Sequence, residues 1–252
     1  MVRKNFSVIN FGISFSHEAD LALLGVDDPD FLNGVKPLEL GDLPKVQEDV
    51  IVYGFPEGGD VLSTTKGVIS RIEHQEYVNS SAELLAAQID AAVNPGNSGG
   101  PVMAEDRIVG VVMQGLDKTQ NISYMVPVSV IVHFLEDIKD DRLDGFPECR
   151  IFTQQMENVA LKMKYGLTSD QTGMLVVSVL PGTPAQGKIF LGDVILAVDG
   201  YTVADDGTIE FRPGERTSMN YCTQRHQVGE KLNLDIIRNG KRLKVQLSLD
   251  QP

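Results

Sequence analysis

Asp90-Ala91-Ala92-Val93-Asn94-Pro95-Gly96-Asn97-Ser98-Gly99-Gly100-Pro101-Val102 is the stretch of this chain that says most about its fold. Three glycines and two prolines fall within the seven residues from Pro95 to Pro101, and such a cluster predicts a tight turn. The β-like run that follows predicts that this turn leads into a strand. Ser98 stands at the centre of the turn.

Ser98 is a candidate nucleophile. A serine attacks a carbonyl only after a base takes its proton, and the oxyanion that forms needs donors already in place. Gly96 allows the backbone to curl so that the N–H groups of Gly96 and Ser98 point into one small hole, where each donor contributes roughly 2.7–4 kcal/mol. Gly99 and Gly100 are expected to leave room for a substrate backbone. The alternative is a glycine-rich turn with an incidental serine, but the length of the motif favours the nucleophile.

Composition limits the classes of function. Of the 252 residues 42% are hydrophobic and 23% charged, which excludes a wholly disordered, collagen-like or coiled-coil chain. The 22 basic and 35 acidic residues leave a net charge of −13, so no basic surface for nucleic acid is expected. No membrane span, metal site or cofactor is predicted, because the apolar runs are short and the histidines and cysteines do not cluster. Cys149 and Cys222 predict two free thiols, with one bridge as the alternative.

Short β-rich runs between Gly and Pro turns dominate the first part of the chain, as in a sandwich or barrel. The N-terminal run Phe6–Phe15 predicts a half-buried strand rather than a signal peptide. A helix is predicted from about Pro127 to Lys139. Its expected apolar stripe is Val128, Ile131, Val132 and Leu135. The other strands predicted here are Asp20–Val26, Val50–Tyr53, Gly67–Ile72, Leu85–Ile89, Arg107–Met113 and Ser123–Val126.

The charged segment Lys139–Gly145 predicts a linker, which divides the chain into domains 1–139 and 140–252. After it the pattern is that of a smaller α+β module. Asn158–Tyr165 predicts a helix. Asn239-Gly240, between two alternating runs, is a strong β-hairpin signal.

These motifs resemble, in order and spacing, those of the HtrA/Deg (protease Do-like) serine proteases. Asn94–Pro101 is similar to the serine loop of the family, and Ala19–Leu24 is similar to the segment around its triad aspartate. The resemblance runs from about residue 17 to 250. It implies a mainly β fold, with a partial chymotrypsin-like double β-barrel protease domain whose first barrel is incomplete, followed by an α+β PDZ domain. Further matching segments are Val52–Gly59, Thr65–Glu73, Tyr124–Pro127 and Gly207–Arg212, the last similar to the plant-type Deg branch.

The resemblance also implies roles for single residues. Ser98 matches the nucleophile, and Asp20 matches the carboxylate that orients the catalytic histidine. The backbone amides of Gly96 and Ser98 match the oxyanion hole. The loop that lines the substrate pocket is matched by Gln114, Gly115 and Leu116.

The triad histidine of the family lies upstream of the aspartate, and no residue of this chain matches it. His17 lies three residues before Asp20, a spacing that predicts opposite faces of an extended strand. His74 is expected in a solvated hairpin loop, His133 on the flank of the long helix, and His226 in a polar loop. We therefore expect near-zero turnover unless a partner supplies the base, because losing this histidine costs roughly 10⁶-fold in kcat.

The second module resembles a PDZ domain, which binds an extended peptide at a sheet edge and captures its C-terminal carboxylate on backbone N–H groups. The matching carboxylate loop contains Glu148, Cys149, Arg150 and Ile151. Arg150 stands where a glycine is common. Its side chain either pairs with a carboxylate or blocks the groove, and a purely structural loop is the other alternative.

The resemblance therefore implies a serine endopeptidase that degrades damaged or unfolded proteins by Ser-His-Asp acyl transfer, with polypeptides or C-terminal peptides as partners. The alternative is a catalytically inactive, PDZ-bearing pseudoprotease that binds peptides. Family members are commonly trimers or larger assemblies, so a homo-oligomer is expected. The plant-type branch leaves chloroplast, mitochondrion and nucleus as alternative locations.

Overall fold

A computed structural model describes residues 10–28, 30–56, 61–113 and 123–249, with side chains from residue 12 onward. The chain divides into two compact units, Met1–Leu143 and Asp144–Pro252. The charged linker predicts a boundary at residues 139/140, four residues before the observed one. Each unit is built mainly from β-strands, as the sequence predicts.

In the described part of the first unit, nine strands precede one α-helix and a short 3₁₀ helix at Ile138–Asp140. The elements are β1 (Asn10–Ser16), β2 (Leu21–Val26), β3 (Glu39–Leu40), β4 (Asp49–Gly54), β5 (Ser63–Glu76), β6 (Glu83–Ile89), β7 (Pro101–Ala104), β8 (Arg107–Val112), β9 (Ser123–Pro127) and α1 (Val128–Asp137).

Six of these strands close into a barrel. Their hydrogen-bonded order is β8-β7-β4-β5-β6-β9, and β9 also pairs with β8, which completes the ring. Outside the ring, β3 pairs with β8 in parallel. Alternate side chains of β4, among them Val50 and Val52, are buried in the core, as expected for strands whose inner face lines a barrel.

The longest strand, β5, extends well beyond the predicted Gly67–Ile72 at both ends. Its register with β6 shifts between Ile69 and Arg71. Such a bulge bends a strand and increases its twist, so one continuous strand can follow the barrel wall.

The predicted helix is confirmed as α1, but its apolar stripe is partly wrong. Val132 is exposed, and the buried side chains are those of Val128, Val130, Ile131, His133, Phe134 and Asp137. Val130, His133, Phe134 and Asp137 follow the i, i+3, i+4, i+7 spacing of one helix face. A stripe drawn through Val132 is rotated away from that face, because each residue turns the helix by about 100°.

The N-terminal strand β1 pairs only with β2 and forms a separate two-stranded sheet within the described residues. Ile13 and Phe15 on β1 and Leu24 on β2 are exposed. The predicted strand is confirmed from Asn10 onward, whereas residues 6–9 of the prediction lie outside the described residues. The described apolar side chains of β1, Ile13 and Phe15, are exposed rather than half-buried.

The described part of the second unit contains two short helices among its strands. The elements are β10 (Ile151–Gln154), α2 (Val159–Lys164), β11 (Met174–Val179), β12 (Val194–Val198), β13 (Tyr201–Thr202), β14 (Thr208–Arg212), β15 (Glu215–Ser218), α3 (Asn220–Gln224), β16 (Lys231–Arg238) and β17 (Lys241–Ser248).

The main sheet of the second unit has the order β10-β11-β12-β16-β17, and β13 pairs with β12. Its core includes Met156, Leu167, Leu175, Val194, Leu196 and Ile237. β10 lies at one edge of this sheet, whereas β14 and β15 form a hairpin of their own.

Two local signals of the second unit are confirmed. Asn239 and Gly240 join β16 to β17, and both have positive φ, 51° and 74°, as a two-residue hairpin turn of this type requires. The predicted helix at Asn158–Tyr165 is α2, and the Asn158 side chain accepts hydrogen bonds from the N–H groups of Ala160 and Leu161. That cap satisfies donors that the first turn of a helix leaves without partners.

Charged side chains are also buried in this unit. Asp193, almost fully buried, is bound by Arg238 of β16. Lys162 of α2 is also buried, and it donates to Asp205 and to the carbonyl of Gln171.

None of the helices in the described residues is long and apolar enough to span a membrane.

Candidate active site and peptide groove

Ser98 lies in the loop between β6 and β7, and its side chain is exposed. Gly96 and Gly99 on either side have φ values of 97° and 82°, which glycine adopts without strain. The loop is therefore the tight turn that the sequence predicts, with the serine at its accessible surface.

Backbone hydrogen bonds engage three amides of this loop. The N–H groups of Asn97 and Gly100 donate to the carbonyls of Asn94 and Asn97, at 3.0 Å and 2.9 Å, and that of Gly99 donates to Val112 at 2.9 Å. Within the described ranges, no backbone acceptor is bound to the N–H groups of Gly96 and Ser98. An oxyanion hole requires two backbone donors without such partners, and that role of Gly96 and Ser98 stays a prediction.

Gly100 has a different function from the one predicted. A Cβ atom there would lie 2.2 Å from the carbonyl oxygen of Tyr53 and 2.9 Å from that of Asn97. The absence of a side chain thus lets the loop pack on β4, rather than leaving room for a substrate. At Gly99 the space around a Cβ atom is open, and the positive φ favours glycine.

The start of the loop is fixed against β5. The Asp90 carboxylate accepts from the N–H of Val68 at 2.6 Å, and the Thr65 hydroxyl donates to the Ala92 carbonyl at 3.0 Å. A Cβ at Gly67 would lie 2.4 Å from the Ala91 nitrogen. The Thr65-Lys66-Gly67 motif is therefore explained by the crossing of this loop over β5.

Asp20 lies in the turn between β1 and β2, with φ of 53°. Its Oδ1 accepts from Asn79 Nδ2 at 2.9 Å, and the Ser80 hydroxyl donates to the Glu18 carbonyl at 3.1 Å. Burial, together with the nearby Asp20 charge, raises the pKa of Tyr77. Asp20 is thus held by the β5–β6 turn, a contact that sequence reasoning did not predict.

Three of the four histidines lie in surroundings that differ from the predicted ones. His17 lies with Asp20 in the β1–β2 turn, so the argument from opposite faces of a strand is wrong. His74 lies inside β5 opposite Leu85, not in a loop, because β5 continues to Glu76. His133 is buried on the inner face of α1.

Gln114, Gly115 and Leu116, the predicted pocket loop, lie outside the described residues. Among the residues that are described, no group of three or more His, Cys, Asp or Glu side chains is arranged to hold a metal ion. Cys149 and Cys222 are free thiols.

The predicted carboxylate loop leads directly into β10. Arg150 has φ of 47°, and its Nε lies 2.9 Å from Glu148 Oε2. The Arg150 carbonyl accepts from the N–H of Leu180 at 3.2 Å. Cys149 Sγ lies 3.9 Å from Thr223 Oγ1 of α3, so the loop and α3 face one another beside the edge strand.

His226 is the polar residue whose surroundings were least expected. Its two ring nitrogens lie within hydrogen-bonding distance of Asp199 and Glu230. Asp199 is the member of this cluster whose position could be predicted from the sequence, because Asp199-Gly200 is a strong turn signal between β12 and β13.

Comparison with known proteins agrees with this architecture. A model described as "Trypsin-like peptidase domain" matches residues 6–111, and one described as "PDZ domain" matches residues 154–249. Protease Do-like 2, chloroplastic, from Arabidopsis thaliana is 41% identical over 92% of this chain and 39% of its own length. Protease Do-like 4, mitochondrial, from the same plant is 38% identical over 90% of this chain and 44% of its own length. The chain thus spans less than half of these relatives.

Solved structures show the same fold. The HtrA-type protease AlgW with decapeptide superposes with a TM-score of 0.68 at 25% identity, over 97% of this chain and 72% of that structure. The two matched domains follow one another along the chain in the order of the two units. The chain belongs to the HtrA/Deg (protease Do-like) family of serine proteases, and its two units are a trypsin-like peptidase unit and a PDZ domain.

Proposed function

We propose that the first unit carries the acyl-transfer site of a serine endopeptidase. Ser98 is the nucleophile, the N–H groups of Gly96 and Ser98 stabilise the oxyanion, and Asp20 orients the histidine that acts as base. The observation that carries this proposal is the exposed Ser98, whose own N–H group and that of Gly96 have no backbone acceptor in the described ranges. The donors are thereby available before substrate arrives.

In the described ranges, no histidine is in place as the base of this mechanism. Asp20 is bound by Asn79, and none of the hydrogen bonds found in the described ranges joins Asp20 or Ser98 to a histidine. We infer that Ser98 stays protonated at neutral pH and that this chain alone turns over very slowly. A partner that supplies a histidine would restore the roughly 10⁶-fold that the base contributes.

The substrates we propose are damaged or unfolded polypeptides, as the family resemblance implies. Hydrolysis of a fluorogenic unfolded protein by the purified chain tests the site, with Ser98→Ala as the matched variant. We expect background rates for both proteins. Rapid cleavage that Ser98→Ala abolishes would contradict the absence of a base and leave Ser98 as nucleophile, whereas cleavage that survives Ser98→Ala would remove Ser98 from the site.

We propose that the PDZ unit binds the C-terminal segment of a polypeptide along the free edge of β10. An added strand would pair with the backbone of β10, which the main sheet leaves open on one side. Its carboxylate would then lie at Glu148, Cys149, Arg150 and Ile151. AlgW, a structural relative, was solved with a decapeptide, which supports this use of the unit.

Arg150 gives this groove its charge. Its guanidinium is engaged by Glu148, and both side chains are largely exposed. We propose that a peptide carboxylate replaces Glu148 on Arg150. The full chain is titrated with a labelled peptide that has a free C-terminus, and with the same peptide amidated.

We expect saturable binding of the free carboxylate, about tenfold weaker binding of the amide, and a similar loss for Arg150→Ala, since a charge-assisted hydrogen bond contributes about 1.5–3 kcal/mol. Arg242→Ala, an exposed change on β17, is the control. Tighter binding by Arg150→Ala would show that the side chain blocks the groove.

The second candidate function is a peptide-binding pseudoprotease without catalysis, favoured by the contact of Asp20 with Asn79 rather than a histidine. A fluorophosphonate probe separates the candidates, because it labels only an activated serine. Peptide binding without labelling of Ser98 supports the pseudoprotease.

For the cellular location we propose an organelle, because the names of the relatives include "mitochondrial" and "chloroplastic". Imaging of the tagged gene product tests this location.

A further inference from the structure

His226 lies just beyond α3 with a carboxylate on each side of its ring. Nε2 is 2.6 Å from Asp199 Oδ2, and Nδ1 is 2.9 Å from Glu230 Oε2. A neutral imidazole has one N–H group and can donate to one of these oxygens, whereas the imidazolium donates to both. The arrangement therefore fits the protonated ring.

Each of the two carboxylates also accepts a hydrogen bond from the backbone of the PDZ unit. Asp199 is in the turn between β12 and β13, and its Oδ1 accepts from the N–H of Asn233 at 2.9 Å. Glu230 precedes β16, and its Oε2 also accepts from the N–H of Gln227 at 3.1 Å. His226 thus joins two carboxylates from different segments of this unit.

The backbone around His226 leads to the proposed groove. The N–H of His226 donates to the Thr223 carbonyl of α3 at 3.2 Å. The hydroxyl of Thr223 in turn lies 3.9 Å from Cys149 Sγ in the carboxylate loop. A change at His226 is therefore one helical turn from the residues that face a peptide terminus.

We propose that His226 is a positioning residue for the peptide groove, which it holds in a binding-competent shape only while its ring is protonated. This inference rests on the proposed function of the PDZ unit. On loss of the proton, one carboxylate faces a ring lone pair instead of a donor, and the resulting repulsion loosens the end of α3 beside the carboxylate loop.

The neighbouring charges support this direction. Burial lowers the pKa of His226, but the hydrogen bonds and charges of Asp199 and Glu230 outweigh it and raise the pKa above its ordinary value. Arg225, the cation on the same segment, is bonded to the Tyr201 hydroxyl. The thiols of Cys149 and Cys222 also lie near Asp199, and burial keeps them neutral.

The sign follows from the raised pKa. The contribution of His226 is complete below its ordinary pKa of about 6.5 and is lost as the pH rises through the higher folded value. Peptide affinity is expected to fall with rising pH over the same range, because the peptide binds best to the form in which His226 is protonated.

The test is a titration of the full chain with the labelled C-terminal peptide between about pH 5.5 and pH 9, with the His226 ring followed by NMR in parallel. We expect the affinity to fall with the midpoint at which His226 titrates. In Glu230→Gln, neutral His226 can donate Nε2–H to Asp199 and accept from the Gln amide, so the loss should largely disappear. In His226→Gln the affinity should be low and independent of pH.

His74→Gln, a change in the other unit, is the control and should keep the wild-type profile. Binding that is independent of pH in the wild type, or a His226 that titrates at or below its ordinary value, would overturn the role of His226. Absence of peptide binding at every pH would instead overturn the groove proposed above.

Discussion

Arg238 holds Asp193 through both carboxylate oxygens, with Nε 2.7 Å from Oδ1 and Nη2 2.6 Å from Oδ2. Nη2 also donates to the Lys188 carbonyl at 2.7 Å, and the guanidinium lies 4.4 Å from the centre of the Phe190 ring. The hydrogen bond from Arg238 to Asp193 raises the pKa of the arginine. One side chain of β16 thereby fixes the segment that leads into β12.

Arg238→Met should destabilise the PDZ unit by about 3–5 kcal/mol, because Asp193 would remain buried with its main partner removed. Urea unfolding of the full chain, followed by a probe in the second unit, measures this. Arg242→Met, an exposed change on the adjacent strand, should stay within about 0.5 kcal/mol. Equal effects of the two variants would mean that the bidentate pair contributes little.

Lys162 and Asp205 form a second pair whose coupling can be measured. Asp205 also accepts from the N–H of Gly173 at 3.2 Å, so it links α2 to two loops. Lys162→Met should cost about 3 kcal/mol or more, whereas Lys164→Met on the exposed side should cost little. In a double-mutant cycle with Asp205→Asn the losses should be clearly non-additive, and simple additivity would contradict a direct interaction.

Gly99 and Gly100 should respond differently to alanine. Gly100→Ala would place a methyl group against the Tyr53 carbonyl, so the loop must leave β4, and we expect a loss of several kcal/mol in the unfolding free energy. Gly99→Ala has open space and only a positive φ to accommodate, at about 1–2 kcal/mol. Thermal unfolding of both variants provides the comparison; a milder effect at Gly100 would contradict the close approach to β4.

The thiols should react slowly at mildly alkaline pH. Burial raises the pKa of Cys149 to about 11 and that of Cys222 to about 12, and the thiolate is the reactive form. At about pH 8 we expect alkylation of native Cys149 to be roughly a hundredfold slower than that of free cysteine. Peptide mapping after iodoacetamide treatment follows both sites. Native rates equal to those in urea would contradict the burial of the thiols.

Much of the serine loop could be predicted because its chemistry is local. The glycines needed for positive φ, the turn and the following strand all lie within a few residues of Ser98. The hairpin at Asn239-Gly240 was predictable for the same reason, since the turn type alone demands those residues.

The remaining features depend on contacts between distant parts of the chain. The polar residues around His74 predict a loop, but β5 includes His74 because the strand pairs with β6 there. The face of α1 was misassigned at Val132 because the barrel, not the helix pattern alone, decides which side is covered. Asp20 meets Asn79, and Asp193 meets Arg238, across separations that no local pattern encodes.

The β1–β2 hairpin has a practical consequence for handling the protein. A two-stranded sheet is at best marginally stable by itself. In this hairpin the side chains of Ile13, Phe15 and Leu24 expose hydrophobic surface to solvent. Concentrated preparations should therefore self-associate reversibly through this face, more strongly as sulfate is added. Ile13→Lys should shift that onset, seen by light scattering, to higher protein concentration.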